Sequence, residues 1–195
     1  MAPEKKADRR VSYTKLALRE ALVRLMRSKH ISATTVKSIC ELADINRSTF
    51  YLHYRDQFDL LHQIEQEVLA TLGERLLLKQ DASDETSPHW PITLEVMTEI
   101  LEYARENADL ARVLLSENCD FAFQQDILEL ADEVMVAPDD SLSQREKDYI
   151  VTYRIGGCIA LAEKWLKGGL VEEPGEIAAL MLQLLYFGTG SFVKG

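Results

Sequence analysis

Apolar side chains recur along this chain at spacings of three and four, the period of a helix that buries one face. A first helix is predicted over residues 13–29, where Leu18, Ala21, Leu22 and Leu25 share a side. Val36, Ile39, Cys40 and Ala43 form a shorter stripe. A long helix is then expected from Gln57 to about residue 78, with Leu61, Ile64, Val68 and Leu72 inward. Residues 80–91 (QDASDETSPHWP) are polar, hold two prolines and read as a loop. Helical spacing resumes at Met97, Ile100, Leu101 and Ala104, pauses at Asn107, and continues through Leu110, Val113 and Leu114. Asp120 can cap a helix carrying Phe123, Ile127, Leu130 and Val134, which Pro138 ends. Ser143 with Glu146 makes a capping box for a helix running to Lys167, where Gly168-Gly169 stops it. Pro174 opens the last helix, with Ile177, Leu180, Met181, Leu184 and Leu185. There is no internal repeat and no strand-rich stretch, so the expected fold class is all-α.

The segment between the first and fourth helices carries the chemistry. Thr34 or Thr35 can cap its first helix, and Ala43-Asp44-Ile45 forms a turn with Ile45 plugging the angle. Asn46 suits the cap of a second helix over residues 47–54, on which Phe50 and Tyr54, four apart, point inward together. Arg47, Ser48, Tyr51 and His53 are left facing outward. Hydrogen-bonding and aromatic groups on one outward face are unusual for a solvated helix and suit a DNA groove, where they meet base edges and phosphates.

These residues resemble the helix-turn-helix of the tetracycline-repressor-like (TetR) family of bacterial regulators. The likeness rests on Thr35-Val36, then Ile39-Cys40-Glu41-Leu42-Ala43-Asp44-Ile45-Asn46, then Ser48-Thr49-Phe50-Tyr51-Leu52-His53-Tyr54. Three positions depart from the family pattern. Asp44 replaces a turn glycine, although Asp tolerates left-handed backbone better than most residues. Cys40 replaces a small alanine and should pack. Gln57 stands where the family has a phosphate-binding lysine, and Arg55 can supply the charge instead. The resemblance implies DNA contact by Thr35, Lys37, Asn46, Arg47, Ser48, Thr49, Tyr51, His53, Tyr54, Arg55 and Gln57, with His53 on the DNA backbone and Arg47 and Ser48 nearest the bases.

Charge distribution changes how the composition reads. The chain carries a net charge of −10, which by itself argues against a DNA partner. Residues 1–55, however, hold 12 Lys/Arg against 5 Asp/Glu, a net of +7, and residues 56–195 hold 10 against 27, a net of −17. Phosphate attraction acts over a screening length near ~8 Å, so a basic end can dock while an acidic body stays away. Residues 1–10 (MAPEKKADRR) are expected to form a mobile arm whose Lys5, Lys6, Arg9 and Arg10 can reach phosphates.

Other chemistry is poorly represented. Cys40, Cys119 and Cys158 lack metal-ligand spacing, and the four histidines, His30, His53, His62 and His89, are dispersed. No phosphate loop, nucleophile elbow or acid/base pair is visible, so neither a catalytic residue nor a metal or cofactor is expected. No run of about 18 apolar residues occurs and the N-terminus lacks an apolar core, which predicts a cytoplasmic protein without a membrane span.

Two features of the body bear on assembly and ligands. Adjacent glycines Gly156 and Gly157 inside one helix favour close helix approach, either in the core or across a two-fold axis. The TetR resemblance implies a dimer interface of the last two helices, with Tyr153, Gly156, Gly157 and Ala160 on one and Leu180, Leu184 and Phe187 on the other. The run from Tyr153 to Met181 resembles the C-terminal domains of the dihydroxyacetone-kinase regulator type. Candidate ligand-lining residues are Met97, Tyr103, Phe121, Phe123 and Trp165, each also compatible with simple core. The expected organisation is an N-terminal arm and three-helix DNA-binding domain over residues 1–56, and a helical regulatory and dimerisation domain over 57–195. The resemblance implies a homodimeric regulator, a repressor, on a near-palindromic double-stranded operator, controlled by a small-molecule effector. The alternative is an accessory regulator whose C-terminal domain binds a protein partner.

Overall fold

A computed structural model describes residues 4–77, 92–119, 122–134 and 141–192. Among these it contains nine α-helices and no strand: α1 Glu4–Met26, α2 Val36–Ala43, α3 Arg47–Phe50, α4 Gln57–Leu77, α5 Leu94–Glu106, α6 Ala108–Leu114, α7 Ala122–Val134, α8 Gln144–Lys167 and α9 Pro174–Phe187. The loop expected at 80–91, the Asp120 cap and the Pro138 stop lie outside the described residues.

Local chemistry explains most boundaries. Thr93 caps α5 by accepting from the Val96 N–H at 3.3 Å. Ser143 and Glu146 cap each other's backbone at the start of α8. Pro174 occupies the first turn of α9, where its missing N–H costs nothing. The Gly168-Gly169 stop works through the second glycine, which takes the left-handed backbone with φ of 93°.

Two boundaries differ from the periodicity. Helix α1 begins at Glu4, so residues 4–10, expected as a mobile arm, are helical, and it ends at Met26 rather than 29. Lys5, Lys6, Arg9 and Arg10 thereby extend α1, because nothing in that stretch breaks a helix once the apolar face behind it is docked. Helix α3 is also shorter than the span 47–54. After Phe50 the bonds tighten, Leu52 N–H donating to Thr49 O and His53 N–H to Phe50 O, and the chain turns so that Tyr54 packs inward.

One buried cluster joins the N-terminal helices to the body. Leu18, Leu22 and Met26 of α1, Ile39 of α2, Phe50 of α3 and Leu60 and Ile64 of α4 pack with Leu110, Val113 and Leu114 of α6 and with Phe123 of α7. A second cluster, built on Val96, Leu101, Ile155, Trp165, Leu166, Ala178 and Met181, holds α5, α8 and α9 together. Apolar packing therefore crosses the boundary expected near residue 56. Helix α4, 21 residues long, spans about 31 Å at 1.5 Å per residue and runs past both clusters.

Candidate nucleic-acid interface

Helix α2 is anchored at its start by reciprocal capping. The Ser38 N–H donates to Thr35 Oγ1 at 3.2 Å, and the Thr35 N–H donates to Ser38 Oγ at 3.2 Å. Thr34, the other candidate cap, is instead 1% exposed, and its hydroxyl donates to His30 O. At the far end of α2 Asp44 adopts φ 53°, ψ 42°, the left-handed cap that ends the helix and turns the chain. Its N–H and that of Ile45 both donate to Cys40 O. Asn46 then caps α3, its Oδ1 accepting from the Ser48 N–H and hydroxyl, each at 3.0 Å.

Behind α3 sits an aromatic brace. Phe50 is fully buried, edge-on to Tyr51 and tilted against Tyr54, with both ring centroids 5.6 Å away. Tyr54 is 6% exposed, so among the expected DNA-contact residues it is a brace rather than a contact. Burial, followed by the Glu67 charge, raises its phenol above the usual range.

The remaining expected residues divide by exposure. Lys37, Asn46, Arg47, Ser48, Tyr51 and Arg55 are exposed, while Thr49, His53 and Gln57 are half-buried. Thr35 is exposed but engaged in its cap. Lys37 lies 3.8 Å from Glu41 on the outer side of α2, a weak surface pair that leaves its charge available. At the entry to α4 the Arg55 N–H donates to Asp59 Oδ2 at 2.8 Å and the Asp59 N–H to Asp56 Oδ1 at 2.9 Å. The bond from the Arg55 amide holds the Asp59 carboxyl below its ordinary range. The Arg55 side chain, 88% exposed, lies 3.7 Å from the same carboxylate. Leu52 was not among the expected contacts, yet it projects from the same turn with 79% of its surface exposed. Its apolar character disguised it, because leucine at helical spacing ordinarily reads as core.

The body holds a cavity of about 190 Å³ between α4, α5, α6, α7, α8 and α9. Leu72, Met97, Tyr103, Phe123, Ile127 and Cys158 are among the residues lining it. Met97, Tyr103 and Phe123 are thus brought together as candidate ligand-lining residues, and Phe121 lies outside the described residues. Trp165 does not line it. The indole is 3% exposed in the second cluster and its N–H donates to Glu172 O at 2.9 Å, so it fastens the α8–α9 turn instead. Arg75 stacks its guanidinium over Tyr103, 5.3 Å from the ring centroid, and donates to Glu99 O at one edge of the site. Burial pushes the Cys158 thiol up to about 11.

The outer faces of α8 and α9 are the other notable surface. Tyr153 and Phe187 are 72% and 65% exposed, Gly156, Gly157 and Ala160 are exposed, and Leu180 and Leu184 are half-buried. A Cβ built at Gly156 or Gly157 would meet nothing within 4 Å. No packing among the described residues therefore requires glycine at either position.

Comparison with known proteins gives a consistent picture. Residues 93–186 match the TetR-type family model described as the transcriptional regulator C-terminal region. The HTH-type transcriptional regulator YxbF of Bacillus subtilis (strain 168) is 25% identical over 170 residues, which is 86% of this chain and 43% of that protein. The chain thus spans less than half the length of that curated relative. A TetR transcriptional regulator from Streptococcus agalactiae 2603V has a similar fold, with a TM-score of 0.64 at 20% identity over 93% of this chain and 98% of that one. The dihydroxyacetone kinase operon activator DhaS aligns with a TM-score of 0.54 at 19% identity over 93% and 98%. The regulator FadR from Bacillus subtilis, solved in complex with stearoyl-CoA, aligns with a TM-score of 0.60 at 16% identity over 89% and 98%. At these identities the structural likenesses speak for the fold alone.

Proposed function

We propose that this chain, which belongs to the TetR family of transcriptional regulators, binds a near-palindromic DNA operator as a homodimer and represses transcription until an effector enters its helical body. The observation that carries the DNA role is the outward face of Arg47, Ser48 and Tyr51. All three are exposed on a short helix that Phe50 and Tyr54 lock from behind. Hydrogen-bonding side chains held this rigidly suit base edges, and Lys37 and Arg55 flank them with charge for phosphates.

The homodimer is supported by the two glycines of α8. Adjacent glycines inside a helix cost roughly 2 kcal/mol in propensity, and neither makes a close approach among the described residues of the subunit. Close approach by a second copy across the exposed Tyr153–Ala160 and Leu180–Phe187 faces supplies the missing reason. A charge placed there, as in Leu180→Glu, gives a monomer by sedimentation velocity while helicity is retained.

The effector fits best as a slender apolar or amphipathic molecule. A cavity of about 190 Å³ lies below the ~300–1,000 Å³ of drug-sized sites, and its walls are almost wholly aliphatic and aromatic. A fatty-acyl group is one such shape, and FadR of Bacillus subtilis was solved with stearoyl-CoA. The name of DhaS, an operon activator, marks repression as the part of this function to be tested separately.

Selection of genomic fragments by the purified protein tests the function, followed by binding across a salt series. Contacts to several phosphates demand a steep fall of affinity with salt, with a log–log slope near −0.9 per phosphate neutralised. Absence of any bound duplex at low ionic strength, with and without apolar effectors, refutes the DNA role. A stoichiometric protein partner recovered in its place favours the accessory-regulator alternative.

A further inference from the structure

Given the DNA-binding function proposed above, we propose that Leu52 reads thymine, its side chain meeting the C5-methyl group of one thymine in each operator half-site. Among the described residues only Val171, at 80%, leaves a large apolar side chain more exposed than Leu52, at 79%. Single exposed leucines are common on protein surfaces and need no ligand. Leu52 differs by its place. Tyr51 stacks one turn after Arg47, its N–H bonded to Arg47 O, and Leu52 follows it in the tight turn that closes α3. An exposed aromatic and an exposed aliphatic group thus stand together at the end of the reading helix whose start carries Arg47 and Ser48. The backbone around it is fixed, with Leu52 N–H bonded to Thr49 O and His53 N–H to Phe50 O.

Chemistry then selects the target. Among the base edges of the major groove, thymine alone presents a methyl group, and the others present donors and acceptors that leucine cannot satisfy. Buried against a donor or acceptor, Leu52 would leave that group unpaired. Against the thymine methyl, both partners leave water together. Specificity thereby divides across the face: Arg47 and Ser48 read hydrogen-bonding edges, and Leu52 reads a methyl.

Uracil substitution provides the test, because deoxyuridine removes the methyl and leaves base pairing intact. Each thymine of a selected operator is replaced in turn, and affinity is measured for the wild-type chain, Leu52→Ala and Leu52→Met. One thymine per half-site is expected to lose about fourfold in affinity on replacement, the value of burying one methyl-sized group. That loss disappears in Leu52→Ala and persists in Leu52→Met, whose side chain remains apolar. Leu52 supports no core, so both variants melt with the wild type. Uracil tolerated at every position, or a penalty unchanged in Leu52→Ala, overturns the thymine contact while leaving DNA binding in place. Failure to bind any duplex removes the DNA function and this contact with it.

Discussion

Replacing Asp44 separates backbone strain from charge at the turn of the reading head. Asp44 holds φ 53°, ψ 42°, and no hydrogen bond or ion pair involves its side chain among the described residues. The left-handed conformation costs an L-residue roughly 1–2 kcal/mol, with Asp toward the low side. Glycine removes that cost but adds back roughly 0.5–1 kcal/mol of backbone entropy in the unfolded chain. Asp44→Gly is therefore expected to stabilise by about 0.5 kcal/mol, and Asp44→Ala, which keeps the strain and loses the short polar side chain, to destabilise by a similar amount. The reading head shares its core with the body, so the change registers in the global melt. For a chain of 195 residues that is about 1–2 °C in Tm in each direction. Urea and thermal unfolding by circular dichroism, at fixed protein concentration because a dimer melts with concentration, measure it. Asp44→Asn completes the set: it keeps left-handed tolerance, removes the charge near the α3 cap, and leaves Tm unchanged while tightening DNA binding at low salt. A glycine variant no more stable than wild type, or an alanine variant equal to the glycine one, refutes the strain account.

Three further outcomes follow from single contacts. Phe50→Ala empties a fully buried ring site and should cost roughly 3–5 kcal/mol, a large share of an ordinary domain's stability; urea unfolding shows it, and Phe50→Leu, which keeps more of the apolar volume, should recover most of the loss. Asp59, held below the usual carboxylate range by the Arg55 amide, contributes stability that is complete above its unfolded pKa near ~3.9 and is lost as pH falls through its lower folded value. The melting difference between wild type and Asp59→Asn should thus be constant above about pH 5 and shrink below ~3.9. Cys158, with its thiol at about 11, should alkylate with iodoacetamide at pH 8 on the order of a hundredfold more slowly than a free cysteine, and peptide mapping would reveal any faster rate.

The legible parts of this fold were those set by neighbouring residues. The α2 stripe, the Asn46 cap, the Ser143–Glu146 box and the Pro174 start each depend on groups within four positions, and each appears in the structure. What was missed depends on partners distant in the chain. Residues 4–10 are helical because α1 continues past its docked face, a consequence that composition conceals. Helix α3 stops at Phe50 rather than 54, its last bonds tightening, while Tyr54 still packs inward beside Phe50 as its spacing predicts. Trp165 shares the spacing of cavity residues but points to the Glu172 carbonyl. Leu52 carries the opposite lesson, an apolar residue whose exposure no periodicity foretells.

The shared core links the cavity in the body to the N-terminal helices. Helix α4 runs from the N-terminal helices into the body as one connecting rod, and α6 offers a second route. Leu110, Leu114 and Phe123 line the cavity and belong to the cluster that holds Leu18, Leu22 and Met26 of α1. Just beyond α6, Asn118 Nδ2 donates to Met26 O at 3.0 Å and Asn118 O accepts from the Ile31 N–H at 3.1 Å, clamping the end of α1. Next to it the Cys119 thiol donates to the buried Glu65 carboxylate of α4 at 3.3 Å. An effector that spreads the cavity wall pushes on the helix that leads into this clamp, and coupling requires only that it bind a state with the clamp displaced better. Asn118→Ala removes the side-chain half of the clamp and leaves the cavity untouched. Effector affinity, read by calorimetry without DNA, should change little, whereas the effector-induced loss of operator affinity should fall by severalfold. An unchanged operator response would return the signal to α4 alone.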